Sequence, residues 1–172
     1  METDSSQNNT LTDQTVIFSP EQLLEHWQGH RGLTRKVIEA FPEEQLLNYS
    51  IGGMRTFADL AMEMIGMTAP GMRGIAFREW SIDDPAIGFN APTPTSKQEL
   101  LAQWDKVTEL IDYIWPQIPP PRFQENDVAF GQYEGPVYGT LFYFIDNEIH
   151  HRGQGYVYLR SLGIEPPAFW DR

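Results

Sequence analysis

A long segment near the end of the chain, which follows Pro136 and meets no proline before Pro166, most constrains the fold. Proline suits the first turn of a helix, and Gly163 is placed to form its C-terminal cap. A helix of about 26 residues spans about 39 Å, the length of a small helical bundle. The segment therefore predicts one long helix over residues 136–162.

Three earlier segments combine helix-start signals with apolar residues at helical spacing. A serine followed three residues later by glutamine or glutamate opens the segments 20–41 and 96–115, and Thr56 is placed to cap the segment 56–79. Pro70 lies inside the last of these and predicts a kink or a restart. Each segment has one apolar stripe, so each is predicted to be an amphipathic helix.

These elements predict an all-α protein. Four amphipathic helices, with no alternating strand pattern and no internal repeat, indicate a four-helix bundle. The two longer connections, near 81–95 and 116–134, predict long crossover connections or loops that carry function. The polar residues 1–15 are expected to form a disordered tail, which leaves residues 16–172 as a single domain.

Charge and composition exclude several classes of function. The formal net charge is −12, with a sequence pI near 4.6, so neither nucleic acid nor an anionic membrane is an expected partner. No segment predicts a signal peptide or a transmembrane helix, and we expect a cytoplasmic protein. The chain has no cysteine, so a metal would have to bind histidine, carboxylate or amide oxygen.

The long last helix contains polar residues at spacings that suit ligation. Asn147 and His151 are four residues apart, and Glu148 and His151 are three apart, so both pairs can meet on one face. His150 is turned about 100° away. Donors one helical turn apart can converge on a metal, but by spacing alone an exposed polar helix end is the stronger interpretation.

Two polar residues on earlier helices stand beside apolar stripes. His30 lies inside the stripe of the first helix, where a histidine is most often a hydrogen-bonded structural residue. Glu63 lies on the flank of the stripe in the 56–79 helix, so it is either solvent-exposed or needs a partner.

The run NEIHHRGQGYVYLRSLGIEPPAFW, residues 147–170, resembles the C-terminal helix signature of the DinB-like (YfiT-like) superfamily, a DNA-damage-inducible family unrelated to the similarly named DNA polymerase. RTFADLAMEM, residues 55–64, resembles the second helix of that family more weakly. The resemblance extends from about Ser19 to the end of the chain. It implies a four-helix bundle in which three histidines hold a divalent metal such as Zn²⁺ or Ni²⁺.

Carried over position by position, the resemblance places the metal ligands at Glu63, Asn147 and His151. Only His151 is the histidine that the family implies. A glutamate is a credible substitute, whereas a neutral asparagine amide is a much weaker ligand. Three outcomes stay open: an altered metal site, which we rank first, a weak and empty site, or a polar network in a former metal pocket.

Three further residues are candidates for a supporting role, while no catalytic residue is assigned. Glu148 could turn toward His151 and form a Glu-x-x-His pair. His30 could be a further donor or could orient a ligand from behind. Arg152 or His30 could bind a substrate carboxylate or take part in proton transfer.

The resemblance implies a metal-dependent enzyme, of thiol-dependent transferase or hydrolase type, with a small molecule or thiol as ligand. The alternative is a non-catalytic, stress-associated bundle protein with an empty or vestigial pocket, which acts through dimerisation or small-molecule binding. A homodimer is expected because the last helix has more aromatic residues than one small core needs: Tyr138, Phe142, Tyr143, Phe144, Tyr156 and Tyr158.

Overall fold

Side-chain caps set the starts of three of the four long helices. In a computed structural model that describes residues 17–81 and 91–172, the hydroxyls of Ser19, Thr56 and Ser96 each accept a hydrogen bond from a backbone N–H three residues on. The helices are α1 (Pro20–Ala40), α2 (Glu43–Asn48), α3 (Phe57–Phe77), α4 (Lys97–Ile114) and α5 (Val137–Ser161). The all-α class is confirmed, and the four long helices match their predicted bounds within two residues.

The long helices form a four-membered bundle in which α1 and α3 each pack against α4 and α5. Side-chain contacts show that α1 runs parallel to α5, whereas α3 runs antiparallel to it. Because α4 is antiparallel to α1, it runs parallel to α3, so the end of α3 and the start of α4 lie at opposite ends of the bundle. Residues 115–136 instead join α4 to α5 at one end.

The connections contain structure that the sequence patterns did not predict. Residues 43–48 form the short helix α2, in the connection between α1 and α3, where no helix was predicted. The strands β1 (Asn126–Ala129) and β2 (Tyr133–Pro136) pair as a small antiparallel hairpin before α5. Helix α3 runs through Pro70 without interruption, so the predicted restart there is wrong. The expected tail at 1–15 and most of the predicted loop at 81–95 lie outside the described residues.

The core consists of two apolar clusters, one toward each end of the bundle. One contains Phe41, Phe57, Trp104 and Tyr158, and the other contains Trp27, Met72, Phe144 and their neighbours. Between them, the middle turns of α1 and α5 contribute buried polar side chains: His30, Arg31, Thr34, Glu148, His151 and Arg152. Burying a layer of this kind costs folding free energy unless every polar group in it is paired.

Helices α3 and α5 approach closely through two reciprocal glycine–aromatic contacts. A Cβ added at Gly71 of α3 would lie 2.3 Å from the Phe144 ring of α5. A Cβ added at Gly155 of α5 would lie 2.4 Å from the Phe57 ring of α3. Each helix therefore accepts an aromatic ring of the other at a glycine, which fixes their spacing and their relative rotation.

We predict that Gly155→Ala lowers the free energy of unfolding by about 1–3 kcal/mol, because the added methyl overpacks the Phe57 contact. Gly153→Ala, on the exposed side of the same helix with nothing within 4 Å, is the matched control. It should raise stability by about 0.4–1 kcal/mol. Urea unfolding of both variants measures the difference, and equal changes would contradict the close approach.

Candidate functional site

Three polar side chains from α3 and α5 meet in the middle layer of the bundle. Glu63 Oε1 lies 2.9 Å from His151 Nε2 and accepts a hydrogen bond from Asn147 Nδ2 at 3.3 Å. Asn147 and His151 reach the same oxygen because they are one turn apart on α5. His151 is buried, whereas Glu63 is partly exposed. The structure thus brings together the three residues that the family resemblance implied, while metal ligation by them stays a prediction.

Both oxygens of Glu63 have partners. Oε2 forms an ion pair with the exposed guanidinium of Arg55, which comes just before α3. Burial alone would raise the pKa of the Glu63 carboxyl, but the hydrogen bonds from His151, Arg55 and Asn147 outweigh it and lower that pKa. On its other side, the His151 ring places Nδ1 2.8 Å from Gln154 Oε1. The imidazole is therefore held between two oxygen atoms.

The residues present fit a divalent ion as a mixed donor set. An ion about 2.1 Å from each of three ligands separates neighbouring ligand atoms by about 3.0–3.4 Å, close to the 2.9 and 3.3 Å measured here. Asn147 Oδ1 is buried without a hydrogen-bond partner, so turning the amide over would supply an oxygen donor. Within residues 17–81 and 91–172, no group of three or more histidine and carboxylate side chains could hold a metal.

A second buried network faces α1 instead of α3. Glu148 Oε1 accepts a hydrogen bond of 2.7 Å from the Thr34 hydroxyl and lies 3.7 Å from Arg152 Nη1. Glu148 Oε2 lies 3.7 Å from Arg31 Nη1. Burial raises the pKa of Glu148, and the Arg31 charge and the Thr34 hydrogen bond oppose that shift. The proposed turn of Glu148 toward His151 is therefore wrong, because Thr34 and Arg31 of α1 already hold the Glu148 carboxylate.

His30 belongs to this second network and is enclosed by cationic groups. Its Nδ1 lies 2.8 Å from Arg152 Nη2, and its Nε2 lies 2.9 Å from Arg172 Nη1 and 3.2 Å from His26 Nε2. Burial, together with Arg152, His26 and Arg172, lowers the pKa of His30 to about 4. His30 and Arg152 therefore contact each other on the side of α5 that faces α1.

Sequence reasoning missed four residues that complete these networks. Arg31 is fully buried, donates to the Thr108 hydroxyl and the Trp104 carbonyl, and has its guanidinium carbon 3.4 Å from the Trp104 ring centroid. An arginine inside an apolar helix stripe was the available signal. Helical spacing could have identified His26, which lies one turn before His30 on α1. No sequence signal identifies Arg55, which pairs with Glu63 across the start of α3, or Arg172, whose partner His30 is far away in the chain.

Comparison with known proteins agrees with this fold. The sequence pattern of the DinB family matches residues 6–171. A DinB-like protein from Bacillus cereus ATCC 10987 superposes with a TM-score of 0.65 at 21% identity, over 86% of this chain and 95% of that one. The DinB-like protein YjoA from Bacillus subtilis gives 0.67 at 18% identity, over 88% and 99%. No curated protein matches the chain.

The chain therefore belongs to the DinB family. The two structural neighbours are DinB-like proteins, and at their low identity they show a common fold. Among the described residues, no helix is both long enough and apolar enough to cross a membrane. Family membership thus defines the class of protein.

We predict that His30 makes folding stability depend on pH. The pKa of His30 is 6.5 in the unfolded chain and about 4 in the folded protein, so between these values the unfolded state binds the extra proton. Stability is therefore lost as pH falls from 6.5 to about 4. His30→Gln should make this loss shallower in urea unfolding at several pH values, whereas His150→Gln, at an exposed position, should keep the wild-type dependence. An unchanged slope in His30→Gln would contradict the assignment.

Proposed function

We propose that Glu63, Asn147 and His151 hold one divalent metal ion, and that the protein is a metal-dependent enzyme of thiol-dependent transferase or hydrolase type. The observation that carries the proposal is the convergence of an imidazole, a carboxylate and an amide from two helices, beside the unpartnered Asn147 Oδ1. When bound with an open position, such an ion lowers the pKa of a coordinated thiol or water and makes it a nucleophile.

The side chains around this group would prepare it for a cation. His151 faces oxygen on both sides, and the hydrogen between its Nε2 and Glu63 Oε1 occupies the place where a cation would bind. Release of that hydrogen frees the Nε2 lone pair, while Gln154 continues to orient the ring through Nδ1. Arg55 holds the second oxygen of Glu63 and so fixes the carboxylate. Binding should therefore release protons and weaken below about pH 6.

A second candidate is a non-catalytic bundle protein in which this group is only a polar network. It is favoured by the fact that both oxygens of Glu63 already have partners, so the network can be satisfied without a metal. Such a protein would act through small-molecule binding or as a homodimer. The exposed rings of Tyr138 and Tyr143 on α5 would suit a dimer surface.

Calorimetric titration of untagged protein with Zn²⁺ and Ni²⁺ tests the metal proposal. Wild type should bind one ion, and His151→Ala should weaken binding by at least about tenfold because it removes the imidazole ligand. His150→Ala is the matched control and should bind like wild type, since that ring is exposed. Asn147→His should bind more tightly, because an imidazole replaces a neutral amide.

Two outcomes of this titration would overturn the metal proposal. In the first, wild type, His151→Ala and Asn147→His all bind with equal affinity, which would place the ion elsewhere. In the second, none of them binds, even after the histidine has been added. The polar-network candidate would then be preferred.

The variant Arg55→Gln also distinguishes the metal site from the closed polar network. Removing a cation beside Glu63 should strengthen Zn²⁺ binding if the group is a metal site, because the carboxylate regains its full attraction for the ion. If the group is a closed network, the variant should show no Zn²⁺ binding. Arg160→Gln, which removes an exposed arginine paired with Glu165, controls for the change in net charge. Equal effects in both variants would indicate a nonspecific charge effect.

A further inference from the structure

A cleft lies on the outer side of α1, away from the Glu63–Asn147–His151 group. The segment after α5 returns along α1, where the Lys36 ammonium lies 2.8 Å from an Asp171 carboxylate oxygen. Gly29 lets this segment approach, because a Cβ there would lie 3.3 Å from the Arg172 Cβ. The resulting cleft has a volume of about 260 Å³, and its lining includes His26 and Arg172.

Arg172 lines the cleft, and it and Arg152 both direct hydrogen-bond donors at the His30 ring, which has too few acceptors for them. Guanidinium groups can only donate, yet Arg152 Nη2 faces His30 Nδ1 at 2.8 Å and Arg172 Nη1 faces His30 Nε2 at 2.9 Å. A neutral imidazole has one nitrogen with a lone pair, and a protonated one has none. One of the two guanidinium groups therefore always points an N–H at a nitrogen that cannot accept.

The unmatched donor is the one on Arg172. Arg152 is buried and also donates to the Thr34 hydroxyl, so its position is fixed and His30 Nδ1 carries the lone pair. His30 Nε2 then carries the hydrogen, which can point to His26 Nε2 at 3.2 Å. Among the described residues, no carboxylate side chain forms an ion pair with Arg172. This is notable in a chain with 24 acidic and 12 basic residues, because acceptors are abundant elsewhere.

A metal ion is a poor occupant for the cleft. The two Nε2 atoms of His26 and His30 are 3.2 Å apart, which resembles the spacing of two ligands on one ion. A cation there would, however, lie against the guanidinium groups of Arg152 and Arg172, and the repulsion would be strong near a buried site. An anion would instead be attracted by these guanidinium groups, and its oxygen atoms would accept the hydrogen bond for which Arg172 lacks an acceptor.

We propose that this cleft binds a small oxyanion, namely an organic carboxylate or inorganic phosphate. Arg172 donates to its oxygens and His26 contacts it from the rim, while Arg152 acts from behind by holding the tautomer of His30, which lies next to Arg172. Glu25 also lines the cleft and opposes the anion by charge repulsion. The site faces α1, so it does not depend on metal binding between α3 and α5.

Nuclear magnetic resonance of ¹⁵N-labelled protein tests this proposal. Sodium succinate and sodium phosphate are added separately at constant ionic strength, and the ring ¹⁵N shifts of His26, His30 and His150 are followed. We expect saturable shifts at His26 and His30 and none at His150. Saturation by succinate alone defines a carboxylate site, by phosphate alone a phosphate site, and by both a general oxyanion site.

Substitutions at Arg172 and Glu25 test whether these side chains determine the affinity for the anion. Arg172→Gln should weaken binding by about tenfold or more, because it removes a charge-assisted donor. Glu25→Gln should strengthen binding, and Arg160→Gln, an exposed arginine elsewhere, should leave it unchanged. The proposal is overturned if no saturable shift occurs or if Arg172→Gln and Arg160→Gln weaken binding equally. Zn²⁺ titration of Arg172→Gln should match wild type, so this proposal and the metal proposal can fail separately.

Discussion

The buried carboxylate of Glu148 is the constraint on which the arrangement of the bundle interior depends. It is 2% exposed, and its partners are the Thr34 hydroxyl, Arg31 and Arg152. Removing one partner of a buried ion pair costs about 3–5 kcal/mol, because the remaining charge is left without compensation. Glu148 must therefore face α1, and this requirement fixes the rotation of α5 about its own axis.

That rotation determines which neighbouring helix each of the other α5 side chains faces. His151 and Arg152 are adjacent in sequence and about 100° apart around the helix, so once Arg152 faces α1, His151 must face α3. The glycine–aromatic contacts of Gly71 and Gly155 set the distance between α3 and α5. Together these constraints bring His151 within 2.9 Å of Glu63. Helix α5 thus contributes His151 to the carboxylate–imidazole group facing α3 and Arg152 to the arginine–histidine cluster facing α1.

Local rules explain which parts of this structure the sequence could predict. Capping residues, proline positions and apolar spacing act within a few residues, so they located four helices and placed Asn147 and His151 on one face. The pairing of Arg172 with His30 joins residues far apart in the chain, and the pairing of Arg55 with Glu63 depends on how the chain enters α3. Helical spacing also allowed Glu148 to face His151, and the positions of Thr34 and Arg31 on α1 decided against it. The hairpin and α2 are short and carry too few residues for a periodic pattern.

At position 63 this chain has a glutamate where the family resemblance implies a histidine, and this difference changes the charge of the ligand set. Three neutral imidazoles, the ligand set that the family resemblance implies, bring no charge to a metal, whereas Glu63 brings one negative charge. Arg55 pairs with the same carboxylate and restores a formal charge of zero to the group as a whole. In the proposed metal site, two of the three donors would be oxygen atoms, and oxygen favours harder ions than imidazole nitrogen does. Glu63 paired with Arg55 would thus keep the formal charge of a three-imidazole site while making its donor set harder.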